Sequence, residues 1–500
     1  MTEEEANRWK SWLGLVTVLW ISAVWPEITF SLWTDEAGTW WVVKDGWREC
    51  LERANGWSAI SPFYFGILWV WTRVFGLSEV AMRVPSLLFS AVSGALLFRL
   101  ARRWMDQEGA WIAVVVFFLL PQVGVSMVDA RPYALGVMTL LAAWLALTRC
   151  VDGGRWTDVA WLAVCAGATV WAHYMLALGL VPMAWYCRRL GWGRSVSSLA
   201  AGCVMVLPLA PQLADTAGRR RALTFAGRPS MLDLILAIVP PLILLMALLA
   251  AAAAAVSGLA GRRGRREGYR RFAARESLVP MALLAATPAV AIFILGILDG
   301  TRMFVGRYMI ASVAGLAVVS GWAVRGLNHP RARIATMCLT VIAGVTLGFV
   351  RPPRHWTDWR GAVDWARAET ERHPETQVVL VSAFVESMQS GAVADPRQRE
   401  ILFAPQERYR VPGQPLLLPM QPTAEAERTL REQFHAAAGQ SGRLVVLAGP
   451  LSSGYRRWFE EKLGALGLRL EREQVMRTVH VWSFTRPGRP GMQEGYGRGR

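Results

Sequence analysis

The stretch ITFSLWTDEAGTWW, residues 28–41, sets two adjacent carboxylates, Asp35 and Glu36, among tryptophans just past the first long apolar run. A carboxylate beside hydrocarbon loses solvation, which favours its protonated form and suits general-base work. An acidic helix end that only marks the water boundary fits the same two residues. Three arginines offer anion chemistry. Arg131 stands in VDARPY (128–133), and Arg302 and Arg307 stand in DGTRMFVGRY (299–308). A guanidinium fork matches a phosphate. Arg131 could equally pair with Asp129 or snorkel to headgroups, and the other two could simply anchor helix ends. WAHY (171–174) carries His173 and Tyr174. The imidazole is a potential acid, base or metal ligand, or a buried hydrogen-bonded ring. The basic loop DTAGRRRALTFAGR (215–228) discriminates nothing.

The elements that must position these groups are membrane helices. Apolar runs of spanning or near-spanning length occur at 11–30, 83–101, 109–127, 132–148, 157–172, 174–187, 195–212, 231–257, 278–298, 308–324 and 333–350, which predicts about eleven transmembrane helices. The first is expected to remain as an uncleaved helix, because no small-residue cleavage site follows it. Arg102, Arg103, Arg149, Arg155, Arg188, Arg189, Arg194, Arg325, Arg331 and Arg333 fall on one side, with the basic 261–277 loop. The positive-inside rule makes that side cytoplasmic, together with the N-terminus. Asp35, Arg131, His173, Arg302 and Arg307 then share the opposite face. SPFYFGILWVWTRVFG (61–76) reads as an interfacial helix. The expected organisation is a transmembrane domain over 1–350 with its first outer loop at 31–82, an extracytoplasmic α/β domain over 351–486, and a disordered tail over 487–500. Strands are expected at 376–383, 442–449 and 479–484, and amphipathic helices at 355–373, 424–439 and 455–467.

Composition narrows the function classes. The 500 residues are 53% hydrophobic with a formal net charge of +17. The arginines lie mainly in short loops between apolar runs, which reads as topology rather than a nucleic-acid surface. The six cysteines show neither CxxC pairs nor zinc spacing. No GxxxxGK[ST], HExxH or GxSxG occurs, which argues against a nucleotide-driven pump. A group donor on the non-cytoplasmic face would have to be attached to a lipid.

Five stretches, in order, resemble the bacterial branch of the GT-C glycosyltransferases, the dolichyl-phosphate-mannose–protein mannosyltransferase-like family that includes the lipid A aminoarabinose transferases. WTDEAGTW resembles the family's DE-containing first outer loop. SPFYFGILWVWTRVFGLSEVAMRVPSLLFS, which carries Tyr64, resembles HPPLYY…FG.SE.ALRLPS. VDARPYAL resembles EARPYAL, AHYM resembles THYY, and GRYMIASVAGLAV resembles RY…PGLAL. The resemblance covers about 10–350 and extends weakly to 357–367. Ser61 stands where the family has His, Phe63 replaces a proline, and Asp129 is one methylene shorter than the family's acid.

The resemblance implies a polytopic GT-C membrane glycosyltransferase of the cell (inner) membrane. It would move a hexosyl or pentosyl group from a polyprenyl-phosphate donor to a hydroxyl of a lipid, glycan or protein, with inversion. Asp35 matches the catalytic base and Glu36 would assist it. Arg131, Arg302 and Arg307 are candidates for the donor phosphate, with His173, Tyr174 and Tyr64 as further site residues. A divalent metal stays open because of Ser61. Membrane lipids are expected partners and nucleic acid is not. Two other classes fit a polytopic chain: a secondary transporter or flippase of a lipid-linked saccharide, and a non-catalytic scaffold. A transporter calls for mid-membrane ionisable groups, whereas here the charges collect at helix ends.

Overall fold

In the computed structural model the described residues are 18–486, apart from 19, 21, 23, 57–61, 188, 219–226, 261–267, 299–302, 328, 351–356, 389–390, 425, 433–441 and 450–453. The chain divides into two compact units. One comprises Met1–Thr29 with Val42–Arg354, and the other comprises Phe30–Trp41 with His355–Arg500.

The first unit is helical. Glu79–Ala101, Tyr133–Val151, Trp192–Gly218, Leu278–Leu298 and Pro330–Leu347 are long and apolar enough to cross a bilayer, and the bent pair Met231–Ile238 and Pro241–Ala255 adds a broken span. Gln107–Leu119, Tyr174–Cys187 and Ser312–Arg325 are apolar but shorter. These helices make the chain an integral membrane protein. Among the described residues, two further expected spans are interrupted. The run at 109–127 breaks at Leu120, where Pro121 opens a separate six-residue helix. The run at 174–187 is a chain of 3-10 turns followed by a short helix. Most of the first expected span lies outside the described residues. The expected interfacial segment is the helix Pro62–Phe75.

Tyr133–Val151 is the central helix. It is apolar nearly all round, and most of its residues are buried. Trp144 is fully buried, and its indole N–H donates to the Gly179 carbonyl at 3.3 Å. Two glycines allow close packing in this unit. A Cβ on Gly136 would overlap the Leu176 side chain, and one on Gly315 would lie 2.5 Å from the Ala285 amide of the preceding helix. Glu79–Ala101 contains a fully buried Arg83. Its guanidinium satisfies the Glu27 carbonyl at 2.5 Å and the Ile28 carbonyl at 3.1 Å, so the end of one helix is tied to the start of another. Along the same helix Ser86 and Ser90 donate to the Asp129 and Met127 carbonyls at 2.5 and 2.9 Å, which holds the bend before Tyr133.

The second unit is α/β. Its strands are β1 (Gln377–Val381), β2 (Leu416–Leu418), β3 (Arg443–Ala448), β4 (Arg469–Met476) and β5 (Val479–Thr485), in the order β2-β1-β3-β5-β4. β1 runs parallel to β2 and β3, and β5 is antiparallel to β3 and β4. β1 and β3 are continuous apolar runs because both their faces are covered. Phe459 and Tyr455 pack on Val379, Val446, Trp482 and Phe484. The expected amphipathic segment after 355 is the helix Trp359–Arg372, capped by Asp358, whose carboxylate accepts the Gly361 N–H at 2.9 Å. The expected tail at 487–500 lies outside the described residues.

Candidate active site

Asp35 and Glu36 occupy the first turn of the helix Thr34–Val43, where negative charge complements the helix dipole. Neighbouring helical residues are separated by about 100° around the axis, so the two carboxylates face different surroundings. Glu36 is fully buried, and its Oε2 accepts the Trp33 N–H at 3.3 Å. It therefore supplies the reciprocal half of a capping box and secures the helix start. Asp35 is half-exposed, and its carbonyl receives the Thr39 hydroxyl at 3.2 Å. The sequence pairs these residues, and the fold gives them different surroundings.

A second group of candidates gathers within the helical unit. Arg131 is buried in the bend ahead of Tyr133–Val151, and its amide donates to the Asp129 carbonyl at 2.7 Å. Arg307 lies in the 3-10 turn Gly306–Met309, ahead of Ser312–Arg325. His173 caps the C-terminal end of Trp156–Ala172 and is buried. Its ring lies 5.2 Å from that of Tyr133 and 5.8 Å from that of Tyr308. Arg307 stacks over Tyr308 at 5.4 Å.

Burial holds the His173 imidazole far below its ordinary pKa, and the guanidiniums of Arg131 and Arg307 push it the same way. The ring is neutral. Nδ1 accepts the Met175 N–H at 3.2 Å, which leaves the proton on Nε2. Two cations and one imidazole donor thus share one neighbourhood, a field suited to an anion.

The remaining candidates are distributed differently. Tyr174 donates to Gln212 Oε1 at 2.5 Å, and Gln212 in turn donates to the Ala54 carbonyl at 3.1 Å. That chain links the 3-10 helix Tyr174–Gly179 through the helix Ala210–Gly218 to the helix Trp47–Gly56. Tyr64 is fully buried beside Phe65. Arg302 and Ser61 lie outside the described residues. Among the described residues no group of three or more His, Cys, Asp or Glu converges on one metal position. Sequence reasoning missed Tyr133, Tyr308 and Arg83. Arg83 opens the apolar run 83–101, which also holds Arg99, and nothing local sets it apart.

Residues 60–214 match the family model described as dolichyl-phosphate-mannose-protein mannosyltransferase. No curated protein matches the sequence. Among solved structures, ArnT from Cupriavidus metallidurans bound to undecaprenyl phosphate superposes with a TM-score of 0.56 at 13% identity, covering 94% of this chain and 97% of that one. The apo form of the same protein gives 0.56 at 12% identity, with 95% and 98% covered. A likeness over nearly the whole of both chains at such low identity is a likeness of architecture, and it shows that this chain carries the GT-C membrane fold.

Proposed function

We propose that the chain is a glycosyltransferase that moves a sugar from a polyprenyl-phosphate carrier to an acceptor hydroxyl at the non-cytoplasmic face of the cell membrane. The observation that carries this reading is the convergence of Arg131 and Arg307 on a neutral, buried His173 at the helix ends. The match to the mannosyltransferase family model and the undecaprenyl phosphate bound by the ArnT relative support it.

The Asp35 carboxylate takes the acceptor O–H proton as that oxygen attacks the anomeric carbon. The bond from the anomeric carbon to the phosphate oxygen breaks, and its electron pair leaves with the lipid phosphate. Attack opposite the leaving group inverts the centre. Arg131, Arg307 and the His173 Nε2–H stabilise the charge that grows on the phosphate, and Arg302 joins them in this proposal. Glu36 acts through the helix start. The sugar is a hexose or pentose, and the acceptor is a lipid, glycan or protein.

A transport pathway is less favoured, because Arg131 and Arg307 precede helices and His173 ends one. The test is transfer of labelled sugar from a polyprenyl-phosphate donor to envelope fractions. Asp35→Asn is expected to lower transfer by about a thousandfold or more while membrane assembly stays normal. Unchanged transfer by that variant would refute the proposed chemistry.

A further inference from the structure

We infer that the C-terminal α/β unit is the positioning device for the Asp35 helix start, with Tyr409 as its principal positioning residue; this rests on the proposed role of Asp35. The segment Phe30–Trp41 belongs to the same compact unit as His355–Arg500. Separate parts of that unit grip it. The Tyr409 hydroxyl, at the end of the helix Ala404–Tyr409, accepts the Leu32 N–H at 2.7 Å, and Leu32 is fully buried. The buried Trp359 indole N–H reaches the Thr34 hydroxyl at 3.4 Å. The next residue's amide, Arg360 N–H, donates to the Ser31 hydroxyl at 3.2 Å. Arg477, in the turn between β4 and β5, lies over the Phe30 ring at 3.7 Å, and Arg408 lies 5.9 Å from the Trp40 ring.

These contacts are directed at the turn of chain that decides where Asp35 points. The amides of Leu32 and Trp33 each meet a side-chain acceptor, Tyr409 and Glu36 in turn. Consecutive restrained amides leave the first helical turn little freedom. Tyr409 is itself anchored. Its carbonyl receives the Arg367 guanidinium at 2.8 Å, and Arg360 and Arg408 lie against its ring at 5.8 and 5.4 Å. Arg477 holds its place in a left-handed conformation, φ 59°, which L residues other than Gly, Asn and Asp seldom adopt. Strain of this kind persists where the surroundings enforce it. Tyr409 touches neither donor nor acceptor in this scheme; it acts through the backbone that carries Asp35.

The test uses the full chain in nanodiscs with a polyprenyl-phosphate-linked sugar. Tyr409→Phe keeps the ring and removes only the acceptor. It is expected to lower kcat at least fivefold, to leave donor KM and the unfolding midpoint unchanged, and to speed amide exchange in the 30–41 segment at least fivefold. Trp359→Phe and Arg477→Met should act in the same direction with smaller effects. Asp35→Asn is measured alongside. If Asp35→Asn keeps full transfer, the functional reading fails, and the inference about aiming a base falls with it. If Asp35→Asn is inactive while Tyr409→Phe keeps both kcat and exchange within twofold of wild type, the positioning role alone is overturned. Faster exchange with unchanged kcat also overturns it, since the segment would then be held without consequence for the chemistry.

Discussion

The two ends of the helical unit treat arginine in opposite ways. At the end where Glu79–Ala101 and Ser312–Arg325 finish, the guanidiniums meet carboxylates. Arg325 Nε donates to Asp106 at 2.6 Å, Arg333 Nε donates to Glu108 at 2.7 Å, and Arg103 pairs with Asp152. Burial raises the Asp106 pKa, but its bonds to Arg325 and the Gly109 amide, with the charges of Arg325 and Arg333, bring it below the ordinary value. At the other end, where Tyr133–Val151 and Ser312–Arg325 begin, two guanidiniums press on one neutral imidazole. Pairing locks helices together and largely spends the charge on structure. At the other end the same residue type surrounds an imidazole that stays neutral. The comparison separates arginines that fasten helices from those proposed to bind the donor phosphate.

The sharpest way to break that comparison is to remove one arginine from each end. Arg131→Ala should lower kcat/KM for a polyprenyl-phosphate donor by about 10²–10³-fold, the typical cost of losing one preorganised donor to a developing charge. Arg307→Ala should cost about tenfold to a hundredfold on the same grounds, and Arg131→Lys should recover only part of the loss because the fork is gone. A paired-end variant with an equal loss would erase the distinction.

A pH series sharpens it further. His173 has a depressed folded-state pKa, so below about 6.5 the unfolded chain binds a proton that the folded chain refuses. Its contribution is fully present above that value and is lost as pH falls, by at most about 1.4 kcal/mol per pH unit. Asp106 is also depressed, so its contribution is lost only as pH falls below about 4. Unfolding midpoints measured from pH 7.5 to 5 should therefore decline in wild type and flatten in His173→Gln.

The smallest effect is expected at the paired end. Arg325→Ala should change donor kinetics by less than about twofold and cost roughly 1 kcal/mol in a thermal melt, as for a partly solvated pair.

Much of this architecture is legible in the chain. Apolar run length announces the membrane helices, and the unbroken runs QVVLV and RLVVLA announce β1 and β3. β2 escapes because LLL is three residues between Pro415 and Pro419. β4 escapes because RLEREQVM is a mostly exposed, charged edge strand, and its composition reads as helix. The candidate residues are legible by type, but their surroundings are not. Nothing local distinguishes Asp35 from Glu36, since helical rotation alone sends one side chain inward. Tyr409 is 377 positions from Leu32, and no pattern near either residue announces the bond between them. Arg131, His173 and Arg307 come together only because three helix ends do.

The most direct test of the binding end is the affinity of the purified chain for polyprenyl phosphate itself, without sugar or acceptor. Arg131→Ala and Arg307→Ala are expected to weaken binding about tenfold or more, as for loss of a charge-assisted contact, while Arg325→Ala binds as wild type does. Equal affinity across all four proteins would contradict this expectation.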